Sequence, residues 1–117
     1  MASGRRIEKI QNLLREVIAA TIARELAFPE GTMVTVTRVT PSEDLYYATV
    51  FVTILAAAPP AEREVLKLLQ KATGAVQRAL NRKLRMRPVP RIAFAVDQDE
   101  KRRERIEKLL GENGPGA

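Results

Sequence analysis

Apolar residues recur along this chain with two different periods, and the switches between them mark out its elements. From residue 5 to 26, Ile7, Ile10, Leu14, Val17, Ile18, Thr21 and Ile22 follow at three- and four-residue spacing. That is the stripe of an amphipathic helix, with Arg6, Lys9, Arg15 and Glu16 off it. Phe28-Pro29-Glu30-Gly31 ends the helix. Residues 32–40, Thr-Met-Val-Thr-Val-Thr-Arg-Val-Thr, are dense in β-branched side chains and predict a strand. Pro41-Ser42-Glu43-Asp44 is a turn, and residues 45–55 predict a second strand. In it Ala48, Val50, Val52 and Ile54 share one face, and Tyr47, Thr49, Phe51 and Thr53 the other. So short a connection favours an antiparallel hairpin.

Helical spacing returns from Glu62 to about Met86 through Val65, Leu68, Leu69, Ala72, Val76, Ala79, Leu80 and Leu84, with Pro60 suited to the first turn. Ala72-Thr73-Gly74 interrupts it. Glycine inside a helix costs about 1 kcal/mol relative to alanine, so the helix either tolerates Gly74 or bends there, and periodicity leaves both open. Arg87-Pro88-Val89-Pro90 stops the helical region. Residues 89–96 predict a third strand, Ile92, Phe94 and Val96 alternating with Arg91, Ala93 and Ala95. A last helix is predicted from Asp99 to Leu110, closed by Gly111. The order α-β-β-α-α-β-α fits an α+β domain, a three-stranded sheet with its helices on one face.

Composition narrows the chemistry. The 117 residues fit one domain, and the chain has neither Cys nor His. Thiol redox, disulfides and structural zinc therefore drop out, as do imidazole bases and thiolate nucleophiles. Serine occurs only at Ser3 and Ser42, a poor basis for a hydrolase. Asp97, Asp99 and Glu100 could in principle gather a divalent metal for a nuclease, but they read better as first-turn acids complementing a helix dipole. The expectation is a protein without catalytic residues, cofactor or metal. No run approaches the roughly 18 apolar residues of a membrane span, and Met1-Ala2-Ser3-Gly4-Arg5-Arg6 lacks the apolar block of a secretory signal. A soluble cytoplasmic monomer is expected.

Net charge is +6, and it is segregated. Residues 61–96 carry nine basic and two acidic side chains, whereas residues 97–117 carry five basic and six acidic. Between Val65 and Val96 no acid interrupts Lys67, Lys71, Arg78, Arg82, Lys83, Arg85, Arg87 and Arg91. On a helix turning 100° per residue, Lys67, Lys71, Arg78, Arg82 and Arg85 fall within about 60° of one another and span roughly 27 Å. Val65, Leu69, Ala72, Val76 and Leu80 take the opposite side. Such a row suits a nucleic-acid backbone, where neutralised phosphates release counterions. It would also suit an acidic protein partner, which makes a protein-interaction module the alternative. Thr73 and Gly74 sit where a phosphate could approach a helix start, or they merely serve packing. Tyr47 and Phe51 share a strand face, but aromatics this few are expected to cover core or sheet edge, so base stacking across the sheet is not expected.

Three stretches together resemble the ribosome-binding factor A family, a type II KH-like domain. They are Val34-Thr35-Val36-Thr37-Arg38-Val39 with Ser42-Glu43-Asp44-Leu45 and Ala48-Thr49-Val50-Phe51-Val52; Leu69–Leu84 with Ala72-Thr73-Gly74; and Pro90-Arg91-Ile92-Ala93-Phe94 with Asp97. The resemblance implies a KH-like RNA-binding domain over residues 1–110; residues 111–117, ending in Gly114-Pro115-Gly116-Ala117, are expected to be a flexible tail. It implies that Ala72-Thr73-Gly74 is a helix–kink–helix, bent at Gly74, in place of a nucleotide-clamping GXXG loop. It also implies binding to the small ribosomal subunit and its rRNA, in late subunit maturation and 16S rRNA processing. The RNA-binding residues expected are Lys67, Lys71, Thr73, Gly74, Arg78, Arg82, Lys83, Arg85, Arg87 and Arg91.

Overall fold

Six elements form in the order α1 (Gly4–Glu25), β1 (Met33–Pro41), β2 (Tyr47–Leu55), α2 (Pro59–Lys71), α3 (Thr73–Lys83) and β3 (Arg91–Val96). They belong to a computed structural model that describes residues 4–56, 59–100, 102, 103 and 106. Residues 98–100, 102, 103 and 106 are helical, in keeping with a last helix. The remainder of that helix and the tail expected at 111–117 lie outside the described residues.

The sheet order is β1-β2-β3, with β2 antiparallel to β1 and parallel to β3. A parallel neighbour cannot be reached through a tight turn, so α2 and α3 supply the crossover. Val39, Ala48, Val50, Val52, Ile92 and Phe94 point from one sheet face into a single cluster with Leu14, Ile18, Val65, Leu69, Val76 and Leu80 from the three helices. Met33, Thr35, Tyr47, Leu55, Arg91 and Ala93 stay exposed on the other face. All three helices therefore lie on one side, and this is the expected α+β layering. Thr21 is the buried hydroxyl in α1, and it donates to the Val17 carbonyl at 2.7 Å, so its burial leaves no unmet donor.

The turn before β2 is tied by side chains. Asp44 Oδ1 accepts from the Ser42 hydroxyl (2.6 Å) and the Tyr46 N–H (3.0 Å), while Ser42 Oγ accepts from the Tyr47 N–H (3.1 Å). Leu45 takes a left-handed conformation with φ 63°. That positive φ is incompatible with a strand, so β2 starts at Tyr47 and not at Leu45. At the far end of the crossover, Leu84 swings to ψ 140° and buries its side chain. The helix accordingly stops at Lys83 instead of reaching Met86.

One irregularity in β1 organises its surroundings. Strict alternation from Val34 and Val36 would send Arg38 into the core. The register instead pairs Val36 with Val52 and Arg38 with Phe51, leaving Thr37 as an inserted residue. This bulge resets the alternation, so Val39 turns inward and Arg38 outward. Thr37 donates from Oγ1 to Asp97 Oδ2 at 2.6 Å, and Asp97 Oδ1 accepts the Glu100 N–H at 3.0 Å. Asp97 is only 4% exposed; it caps the helical residues that follow β3 and locks the bulge in the same step. The Thr37 hydroxyl, the Glu100 N–H and the nearby Arg38 hold its carboxyl below the usual aspartate range, against the opposing effect of burial.

Because this carboxyl ionises more readily in the folded chain, its contribution is complete above the unfolded value near about 3.9 and fades as pH falls through the lower folded value. Thr37→Val, which leaves a buried acceptor unmet, is expected to cost about 1–3 kcal/mol at neutral pH. The deficit relative to the natural sequence should shrink in acid, as urea unfolding followed by circular dichroism at pH 7 and below pH about 3.5 would show. A deficit independent of pH would mean that the Thr37–Asp97 bond is not what stabilises the bulge.

Candidate nucleic-acid interface

The crossover is one helix broken at one residue. Ala72 sits at φ −83°, ψ −3° between α2 and α3. Main-chain bonds continue on either side, from Ala72 N–H to the Leu68 carbonyl (2.9 Å) and from Val76 N–H to the Ala72 carbonyl (3.0 Å). The Thr73 hydroxyl donates to the Leu69 carbonyl at 3.2 Å, a back-bond of the kind that bends helices. The break therefore lies at Ala72, two residues before the position expected from the resemblance, and Gly74 belongs to the first turn of α3. Thr73 is half-buried and its hydroxyl is engaged in that back-bond.

Packing decides which way the cations face. Val65 and Leu69 of α2, and Val76, Ala79 and Leu80 of α3, are buried without remainder. Lys67, Lys71, Gly74, Arg78, Arg82 and Lys83 are exposed. The row predicted from the sequence thus survives through Lys67, Lys71, Arg78 and Arg82, in two segments joined at the Ala72 break. Lys83 closes α3, and Arg85, one residue past the extended Leu84, is exposed but no longer on the helix. Among the described residues, Lys67, Lys71, Arg78, Arg82, Lys83, Arg85 and Arg91 have no carboxylate within ion-pair distance. Four acids pair elsewhere: Asp97 and Asp99 with Arg38, Glu100 with Arg103, Glu25 with Arg24. The positive field over this region is not neutralised from within those residues.

Two side chains have structural work that the sequence did not disclose. Arg87 is exposed, yet its guanidinium donates to the Leu84 and Met86 carbonyls at 2.8 Å and to the Asn81 carbonyl at 3.3 Å. It serves the carbonyl end of α3, where a cation is favourable, and so is less available to a phosphate than the other arginines. Gln77 had no signal at all. Its Nε2 donates to the Pro90 carbonyl and its Oε1 accepts the Ile92 N–H, both at 2.9 Å, so that α3 is stitched to the start of β3. With Asn81, Arg87, Pro88, Val89 and Arg91, Gln77 lines an open cleft of about 470 Å³. The three acids weighed for metal chemistry do not form a site: Asp97 is spent on Thr37 and Glu100, and no cluster fit for a metal ion occurs among the described residues.

Gly74 stands out because nothing in the chain demands it. Its φ is not positive, and an added Cβ would meet only the Arg78 Nη1, at an ordinary 3.6 Å. Arg78 Nη1 thus lies over the Gly74 backbone, so a ligand drawn to that exposed guanidinium would meet the bare main chain beside it. Gly74→Ala is expected to raise stability by about 1 kcal/mol, the helix-propensity difference, while weakening RNA binding. Thermal unfolding and a filter-binding titration check the two halves, and unchanged affinity would remove Gly74 from the interface.

A three-stranded sheet with a broken helix pair crossing between parallel neighbours, and cations banked on the pair's outer side, defines an α+β domain of KH-like fold. Residues 6–110 match the family model for ribosome-binding factor A; the chain belongs to that family. It is 40% identical over 108 residues to the ribosome-binding factor A of Natranaerobius thermophilus, covering 92% of this chain and 82% of that one. Its fold is similar to the crystal structure of ribosome-binding factor A from Thermus thermophilus, with TM-score 0.65 and 27% identity, covering 77% of this chain and 93% of that one. It is also similar to the Thermus thermophilus homology model fitted into a cryo-electron-microscopy map of a complex with the 30S subunit. There the TM-score is 0.63 and the identity 27%, with 75% and 91% of the two chains covered. Among the described residues, no helix is long and apolar enough to cross a membrane.

Proposed function

We propose that this protein binds the small ribosomal subunit through rRNA phosphates and assists late maturation of the subunit and processing of its 16S rRNA, acting in the cytoplasm as a monomer and without catalysing a reaction itself. Residues 1–110 act in this reading as one RNA-binding unit. The observation that carries it is the outward bank of Lys67, Lys71, Arg78 and Arg82, exposed and unpaired among the described residues. The Thermus thermophilus relative fitted in a 30S complex supports the same partner. Rigid helices fix the backbone from which the cations project before RNA arrives, so the order gained on contact is that of the long side chains themselves. A factor of this kind changes rRNA only by binding one of its conformations more tightly than another. To act on precursors and leave finished subunits free, it must also associate more tightly with the immature subunit than with the mature one.

Arg78→Glu combined with Arg82→Glu is expected to abolish association with the small subunit and leave the fold intact, because both side chains are exposed. Co-sedimentation with precursor and mature subunits, alongside circular dichroism, measures this. For the natural sequence, about four to six phosphate contacts predict a slope of log K against log[salt] near about −3 to −5. Equal association with both subunit forms would defeat the maturation reading. A slope near zero on rRNA fragments would favour an acidic protein partner instead.

A further inference from the structure

The sheet face opposite α1, α2 and α3 carries an open aromatic ring beside a cation that has no carboxylate partner among the described residues. Tyr47 begins β2 with 59% of its surface exposed. Its partner across the parallel ladder is Arg91, exposed and without a carboxylate partner among the described residues. The next pair along, Thr49 and Ala93, is small, so no tall side chain walls off the ring on that flank. Two positions further, Phe51 would offer a second ring, but the Arg38 guanidinium lies over it at 4.2 Å and is itself held by Asp97 and Asp99. One ring on this strand is engaged, and the other has no partner among the described residues. Asp44, the acid closest to Tyr47 along the chain, has Oδ1 committed to the Ser42 hydroxyl and the Tyr46 N–H.

We propose that Tyr47 and Arg91 form a stacking site for one unpaired nucleobase of single-stranded RNA, the ring taking the base and the guanidinium the adjoining phosphate. Aromatic faces accept any base because every base has a π-face, and a base inside a duplex does not present one. Charge complementarity and position both favour this occupant. Arg91 carries a positive charge with no carboxylate partner among the described residues, and it also lines the cleft at the end of α3. The inference rests on the rRNA-binding reading and deepens it: at this end of the interface the ligand is an unpaired strand.

The chain has two tyrosines and no tryptophan, so tyrosine emission reports on Tyr46 and Tyr47 alone. Titration with a single-stranded oligoadenylate of about eight nucleotides is expected to quench that emission. Tyr46→Phe should keep the quenching, and Tyr47→Phe should lose it while retaining affinity. Tyr47→Leu should weaken single-strand binding about 5- to 100-fold without altering the affinity for an RNA duplex. By contrast, Arg78→Glu with Arg82→Glu should weaken both. If the natural protein binds both RNAs and Tyr47→Leu matches it on the single strand, or if the quenching follows Tyr46, this inference is overturned and the rRNA reading stands. If the natural protein binds neither RNA, both are overturned.

Discussion

A helix can bury only one side, and in this protein that constraint decides where the charge goes. Val65, Leu69, Val76, Ala79 and Leu80 are pressed against a sheet whose inner face is Val39, Ala48, Val50, Val52, Ile92 and Phe94. Once those are buried, Lys67, Lys71, Arg78 and Arg82 have no direction left but outward. Burial of the apolar side, worth about 1.5–3 kcal/mol for each large side chain, thus also positions the cations. The site needs no dedicated scaffold of its own. A mutation that loosened the helix pair from the sheet would scatter the positive charge as well as weaken the fold.

The bulge in β1 plays a comparable part on the opposite side of the sheet. Thr37 is a surplus residue in its ladder, and a hydrogen bond to the buried Asp97 gives that surplus a partner. The same carboxylate caps the helical residues after β3 and lies near Arg38, whose guanidinium in turn covers Phe51. Sheet register, the start of the C-terminal helical residues and the closing of one aromatic ring are therefore coupled through a single buried acid. That ring and Tyr47 lie on the same outer face with opposite fates, one engaged within the chain and one open to a partner.

Alternation of Ala48, Val50 and Val52, and the three- and four-residue spacing of Leu14, Ile18 and Ile22, were legible in the sequence because period alone determines which side chains share a face. The acid-free run from Val65 to Val96 was equally legible, and for Lys67, Lys71, Arg78 and Arg82 helical geometry alone puts the cation opposite the apolar stripe. Tertiary structure decided everything that needed two distant segments to meet. Arg87 is a local case that periodicity also misses: it reads as one more phosphate ligand until the turn after α3 offers it the carbonyls of Asn81, Leu84 and Met86. Gln77 carries no signal until β3 presents Pro90 and Ile92 to it. The bulge at Thr37 emerges only from the pairing of β1 with β2 and the bond to Asp97, sixty residues on. Local periodicity sets faces, because backbone geometry repeats with sequence. Partners are set by proximity in space, which the linear order does not contain.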